Sequence, residues 1–178
     1  MAARPTAAEL AAARDKSIED VIAPDLKILF VGINPGLYSG ATGHHFARPG
    51  NRFWRAIYEA GLTPALLSPD RQAELLELGI GITNLVKRTT ARADELTADE
   101  LRAGSQALIQ KVERFRPAKV AFLGVSSYRV AFGEPNAVVG RQQRHIGQTQ
   151  VWVLPNPSGL NAHYNVAALA AAYAELRQ

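Results

Sequence analysis

The chain of 178 residues contains no cysteine. That single absence excludes disulfide scaffolds, thiol nucleophiles, zinc ribbons and thiolate-held iron–sulfur clusters together. A reducing compartment suits such a chain, and its alanine richness suits a GC-rich bacterial genome, so the expected location is the bacterial cytoplasm. Long apolar runs are missing too: no window approaches about eighteen consecutive apolar residues, which excludes a membrane-spanning helix. The N-terminal stretch MAARPTAAELAAARDKSIEDV is broken by Glu9, Asp15, Glu19 and Asp20, unlike a secretory leader. Neither a Gly-x-Gly-x-x-Gly run nor a P-loop occurs, which argues against dinucleotide and nucleoside-triphosphate chemistry. The histidines, His44, His45, His145 and His163, lack zinc spacing, so no metal is expected.

Acidic residues are scarce locally rather than overall. The net charge is only +4, yet residues 26–58, 78–93 and 135–174 hold no Asp or Glu. Within them lie Lys27, Arg48, Arg52, Arg55, Lys87, Arg88, Arg92, Arg141 and Arg144. Brought together in space, these stretches would form a footprint for a polyanion. Two of them also contain apolar strands, where acids are rare in any protein.

What is present points to a layered fold. Near-continuous apolar runs at KILFVGI (27–33), GITNLV (81–86), KVAFLGV (119–125) and TQVWVLP (149–155) read as strands covered on both faces. Helical patterns fill the intervals at 51–60, 69–78, 98–115 and 126–132, and one closes the chain at 165–176. Capping-box spacings mark helix starts at Thr6/Glu9 and Thr97/Glu100. The expected architecture is α/β, a single three-layer α/β/α sandwich around a short, mainly parallel sheet of about four strands. A loosely attached helical extension (1–17) precedes the domain (18–178).

In such sheets ligands bind at the carboxyl ends of the strands. Those ends carry GINPGLYSG (32–40), KRTTARADEL (87–96), GVSS (124–127) and LPNPSGL (154–160). An Asn-Pro-Gly run alone is an ordinary strand-end turn. Two strand ends each presenting an Asn beside Pro and Gly is more than turns require. Asn34 can orient a water or a base edge but cannot act as a general base. Leu160, at the tip of a polar loop, has the character of a wedge between base pairs. HHFARPGNRFWR (44–55) interleaves aromatics with arginines, as nucleic-acid surfaces do. Phe53 and Trp54 fit the helix core; Phe46 fits the loop. The basic, Thr-rich segment with Arg88 suits a phosphate contact, and Asp94 is either an ordinary solvated acid or the one carboxylate able to sit near the cleft.

Taken in order, GINPGL, FARPGNRFWR, the KRTT loop and LPNPSGL resemble the mismatch-specific uracil-DNA glycosylases, within the thymine-DNA glycosylase group of the uracil-glycosylase superfamily. The resemblance runs from about Ile18 to the C-terminus. It implies that Asn34 positions a water for attack at the sugar C1′ and that Ile33 and Phe46 line the base pocket. It further implies that Ser39 stands near the pocket wall or the nearby phosphate, Asn156 beside base and deoxyribose, and Gly159 and Leu160 in the wedge, with Asn161 following. The implied partner is double-stranded DNA carrying uracil or a mispaired pyrimidine; no cofactor is implied, and a monomer is expected. Two departures stand out. Asn161-Ala162 occupies the place where relatives carry a Ser-Arg pair whose arginine probes the widowed guanine. Asn34 and Asn156 stand where stronger enzymes of the superfamily have an acid and a histidine, so slow chemistry is expected, and Asp94 becomes the candidate to activate water or stabilise the cationic sugar. The competing readings are a non-catalytic damage-binding protein of the same fold and a nucleoside- or small-molecule-cleaving hydrolase.

Overall fold

A computed structural model describes residues 3–178. Its centre is one five-stranded sheet in the order β2-β1-β3-β5-β4. The strands are β1 (Ile28–Gly32), β2 (Ile80–Asn84), β3 (Lys119–Leu123), β4 (Gly140–Ile146) and β5 (Thr149–Leu154). The first three and β5 run parallel, whereas β4 pairs antiparallel with β5 at the sheet edge.

The four apolar runs are thus the parallel strands, and the sheet has one strand more than expected. The missed strand, GRQQRHI, offers no apolar alternation because an edge strand pairs on one side only and faces solvent along much of its length.

Successive residues of each buried strand feed opposite cores, which is why these strands are apolar throughout. Phe30, Ile82, Ala121, Leu123 and Trp152 pack under α3 (Phe53–Glu59) and α6 (Val166–Ala174). Leu29, Val31, Val120, Phe122 and Val153 pack under α4 (Ala98–Phe115) and α5 (Val125–Phe132). The result is the three-layer sandwich. Both capping boxes form as the spacing predicts, Thr6 with Glu9 opening α1 (Ala7–Ala12) and Thr97 with Glu100 opening α4.

Two local readings change. Residues 69–78 form a 3-10 segment broken at Arg71, because only Leu75 of that stretch is buried and nothing enforces a continuous helical face. Residues 37–42, for which the sequence predicts no helix, form the short helix α2 (Leu37–Thr42), closed by Gly43 in the left-handed conformation. The N-terminal segment is not loose: α1 packs against α2, and Ala13 is fully buried.

Strand order reverses between β1 and its two neighbours, so a crevice opens where the chain leaves β1 for one side and β3 for the other.

Candidate active site

All four predicted strand ends meet in one cleft of about 700 Å³ at that crevice. Ile33, Asn34, Ser39, Phe46, Asp94, Asn156, Leu160 and Asn161 all line it. Asp94 is the sole carboxylate among the described lining residues.

The orientation of Asn34 is fixed by what surrounds it. Its Nδ2 donates to the carbonyl of Arg88 at 2.9 Å and to Thr90 Oγ1 at 2.8 Å. A carbonyl can only accept, so this edge of the amide must be the NH2 group. Thr90 Oγ1 in turn donates to the carbonyl of Arg92 at 2.8 Å, which completes the chain. The Asn34 Oδ1 has no protein donor among the described residues and opens to the cleft as an acceptor.

Asn156 is set the other way. Its Oδ1 accepts the N–H of Ser158 at 2.9 Å in a short side-chain turn, which leaves its Nδ2 as the edge available to a ligand. The two motif asparagines therefore offer opposite hydrogen-bonding characters to the cleft.

A third amide, Asn84 at the end of β2, also lines the cleft. His45 controls it. The buried imidazole contacts the carbonyl of Glu19 through Nε2 at 2.8 Å, so Nε2 carries the proton. Burial, the largest influence, holds His45 below the ordinary imidazole pKa and keeps the ring neutral, against the opposing Glu19 hydrogen bond. Nδ1 is then an acceptor for the Asn84 amide at 3.4 Å, and Asn84 Oδ1 faces Gly32 instead. A side chain at Gly32 would meet that oxygen at 2.6 Å and the Phe46 ring at 3.2 Å, which explains the glycine at the end of β1.

Phe46 is held as a platform. Its ring stacks on Phe53 with centroids 4.2 Å apart and planes 27° from parallel. Its φ of +52° is a left-handed conformation costing on the order of 1 kcal/mol for a bulky residue. Neighbouring bonds maintain it: Trp54 Nε1 donates to the carbonyl of His45 at 3.1 Å, and the Ala47 N–H donates to the buried Ser39 hydroxyl at 3.2 Å. As the sequence suggests, Phe53 and Trp54 are core and Phe46 is not.

The loop after β5 projects Leu160, which is 72% exposed. Its shape comes from Arg52, whose guanidinium donates to the carbonyls of Pro157, Ser158, Asn161 and Tyr164. Asn161 Nδ2 adds a bond to the Asn156 carbonyl at 3.0 Å. At Gly159 a Cβ would come within 2.9 Å of the Gly50 carbonyl, so the loop can lie this close only with glycine.

Most of the basic residues that the sequence singles out do not line the cleft. Arg52 is committed to the loop just described, and Arg55 pairs with Glu59 at 3.0 Å. Arg88 does not line the cleft: it pairs with Glu100 at 2.8 Å and with Asp15 at 3.2 Å, and these partners raise its pKa. It serves the site through its backbone carbonyl. The cations that do reach the cleft are Arg48 and Arg92, the latter pairing with Asp94 at 3.1 Å where both are well exposed. No group of three or more His, Asp or Glu suited to a metal occurs among the described residues.

Sequence reasoning missed Asn84, and it missed the roles that His45, Thr90 and Arg52 take. Asn84 alone had a legible signal, a polar residue closing an apolar parallel strand.

A solution structure from Methanosarcina acetivorans, of a protein named as a candidate uracil DNA glycosylase, superposes with a TM-score of 0.60 at 18% identity. The match covers 92% of this chain and 99% of that one, and at such identity it speaks for the fold. A family model matches residues 19–177, a span containing every strand and every cleft residue named above. On that match, the chain belongs to the Uracil DNA glycosylase superfamily.

Proposed function

We propose that this protein is a monofunctional DNA glycosylase that extrudes uracil from duplex DNA, notably from G:U mispairs, and hydrolyses its N-glycosidic bond to leave an abasic site. The observation that carries the reading is the fixed Asn34 amide, whose Oδ1 faces the cleft as an acceptor with no donor of its own. A water donating one hydrogen to that oxygen is oriented with a lone pair free for C1′. Asn34 takes no proton; it orients.

The remaining groups follow from their orientations. Phe46 stacks under the extruded base. Asn84 Oδ1 accepts from the N3–H of uracil. Asn156 Nδ2 donates to the base as negative charge develops on it. The C1′–N1 bond breaks as the C1′–O bond to water forms, and the water's proton passes to Asp94 at the rim or to solvent. Leu160 fills the space left in the duplex. No lysine lines the cleft among the described residues, so no Schiff base to the sugar is expected. Mispaired uracil costs less to extrude, and Ala162 cannot probe the opposite guanine, so preference for G:U rests on pairing strength rather than direct reading.

Single-turnover cleavage of a duplex with one G:U pair, followed by alkali, tests this. Strand breaks should appear only after alkali and fall about 100-fold or more in Asn34→Ala, by analogy with loss of an orienting group. Asp94→Ala should lower the rate about tenfold or more if it receives the proton. Tight duplex binding with no abasic product from any uracil substrate would defeat the reading and leave a damage-binding protein.

A further inference from the structure

We infer that the N-terminal segment from Ala7 to Lys16 is a positioning element of the active site, acting on Asn34 through the loop after β2. The inference rests on the water-orienting role proposed for Asn34. The segment precedes the family-matched span, which begins at residue 19.

Residues 88–90 are gripped from two sides. On the cleft side, the Arg88 carbonyl and Thr90 Oγ1 hold the Asn34 amide at 2.9 and 2.8 Å, and the Thr90 N–H donates to the Pro35 carbonyl at 3.1 Å. On the far side, the Asp15 N–H donates to the Thr89 carbonyl and the Thr89 N–H donates to the Lys16 carbonyl, both at 2.9 Å. Thr89 is therefore stitched to the N-terminal segment while its two neighbours hold Asn34.

Side chains repeat the pattern. Asp15 pairs with Arg88 at 3.2 Å, and Arg14 pairs with Glu95 at 2.7 Å. Glu95 in turn accepts the Arg92 N–H at 2.7 Å, which shapes the turn bearing Asp94. Packing closes the arrangement: a side chain at Gly40 would meet Thr89 at 2.8 Å and the Ala13 Cβ at 3.2 Å. Only a glycine in α2 lets these three layers approach.

Each of the two nearest acceptors of the Asn34 amide is thus one residue from Thr89; the third, the Pro35 carbonyl at 3.3 Å, also accepts the Thr90 N–H. Movement of the N-terminal segment shifts Thr89, and with it the amide that aims the water. A displacement near 1 Å at such a group is worth about 100-fold in rate.

Asp15 supplies a selective test, because its φ is +66°. Proline cannot adopt that angle and has no N–H for Thr89, so Asp15→Pro detaches the stitch. Glycine adopts it freely and keeps the N–H, so Asp15→Gly preserves the stitch while losing only the Arg88 pair. Both are made in the full-length chain. Asp15→Pro should slow single-turnover base release from saturated G:U duplex about tenfold or more, with duplex affinity changed less than about twofold, and Asp15→Gly should restore most of the rate. In an Asn34→Ala background, Asp15→Pro should cost nothing further, since the group it positions is gone. Equal losses in both backgrounds, or equal rates for proline and glycine, would overturn the inference.

A second readout does not depend on activity. The Asn34 side-chain NH2 protons, followed by NMR, should exchange about tenfold faster in Asp15→Pro than in Asp15→Gly. Unchanged exchange overturns the inference even if base release is never observed, whereas faster exchange without base release supports the positioning and defeats only the glycosylase reading. Should Asp15→Pro fail to fold, Ala13→Val, which crowds the Gly40–Thr89 contact, is read by the same two measurements.

Discussion

Replacing Arg52 by methionine keeps the length of the stem and removes all five guanidinium donors. Four carbonyls of the wedge loop lose their partner, those of Pro157, Ser158, Asn161 and Tyr164. Charge-assisted bonds are worth about 1.5–3 kcal/mol each, but a fourfold sum overshoots. Pro157 keeps a bond from the Arg52 backbone N–H at 3.0 Å, and Ser158 and Asn161 are half-buried, so water replaces part of what is lost. What remains is about 2–4 kcal/mol against the shaped loop, chiefly the positive charge that the four carbonyls share. If closure of that loop is needed to hold an extruded base, single-turnover excision from a G:U duplex falls by about 30- to 800-fold. Lysine should rescue little, because one ammonium with three hydrogens cannot serve four carbonyls spread around a planar fork. The loss should be smaller on single-stranded uracil, where no duplex gap has to be filled. An Arg52→Met protein that cuts duplex within about twofold of the parent rate would show that the guanidinium does not shape the loop for catalysis.

Two other outcomes follow from the geometry. Gly32→Ala pushes on Asn84 Oδ1 from 2.6 Å and on the Phe46 ring from 3.2 Å, so excision should fall at least about tenfold while the melting temperature drops only a few degrees; a larger thermal than catalytic loss would contradict this. His45 gives the acid side of the pH profile. Its folded pKa is depressed by burial, so its contribution to stability is complete above the ordinary imidazole value and drains away as pH falls through the depressed one. Protonation places a hydrogen on Nδ1 facing the Asn84 NH2, which turns that amide and removes the acceptor offered to uracil N3–H. The rate should therefore fall on the acid side below the ordinary imidazole pKa, and His45→Gln should lose that limb; an identical pH–rate profile in the variant would refute it.

The parallel strands, the two capping boxes and the convergence of four strand ends were legible because each leaves a local mark. Doubly covered strands are apolar throughout, caps have fixed spacing, and parallel strands send their carboxyl ends to one side. The edge strand β4 was illegible because one-sided pairing imposes no apolar period on GRQQRHI. The basic residues misled for a related reason. Sequence shows a cation but not its partner, and Arg52 faces carbonyls more than 100 positions away while Arg88 faces Asp15 and Glu100. His45 could not be distinguished from its neighbour His44 until folding buried one and left the other only half-covered.

The deepest part of the cleft is organised by amides rather than by acids and bases. Asn34, Asn84 and Asn156 each have one edge consumed by a fixed partner, so the other edge is assigned without ambiguity. Such a centre can orient water, read a base edge and receive charge, but it stores no proton. Ionisable side chains stand at the margins, His45 behind Asn84 and Asp94 at the rim beside Arg92. On the proposed function slow chemistry is expected, since the sole cleft carboxylate among the described residues, Asp94, is exposed and paired with Arg92 at the rim, and full general-base assistance is worth about 10²–10⁴ in rate. Selectivity follows as well. On the same proposed function, a site without a strong base near C1′ has little means of cleaving a correctly paired base during a brief excursion, and is expected to act on those that remain extruded longest.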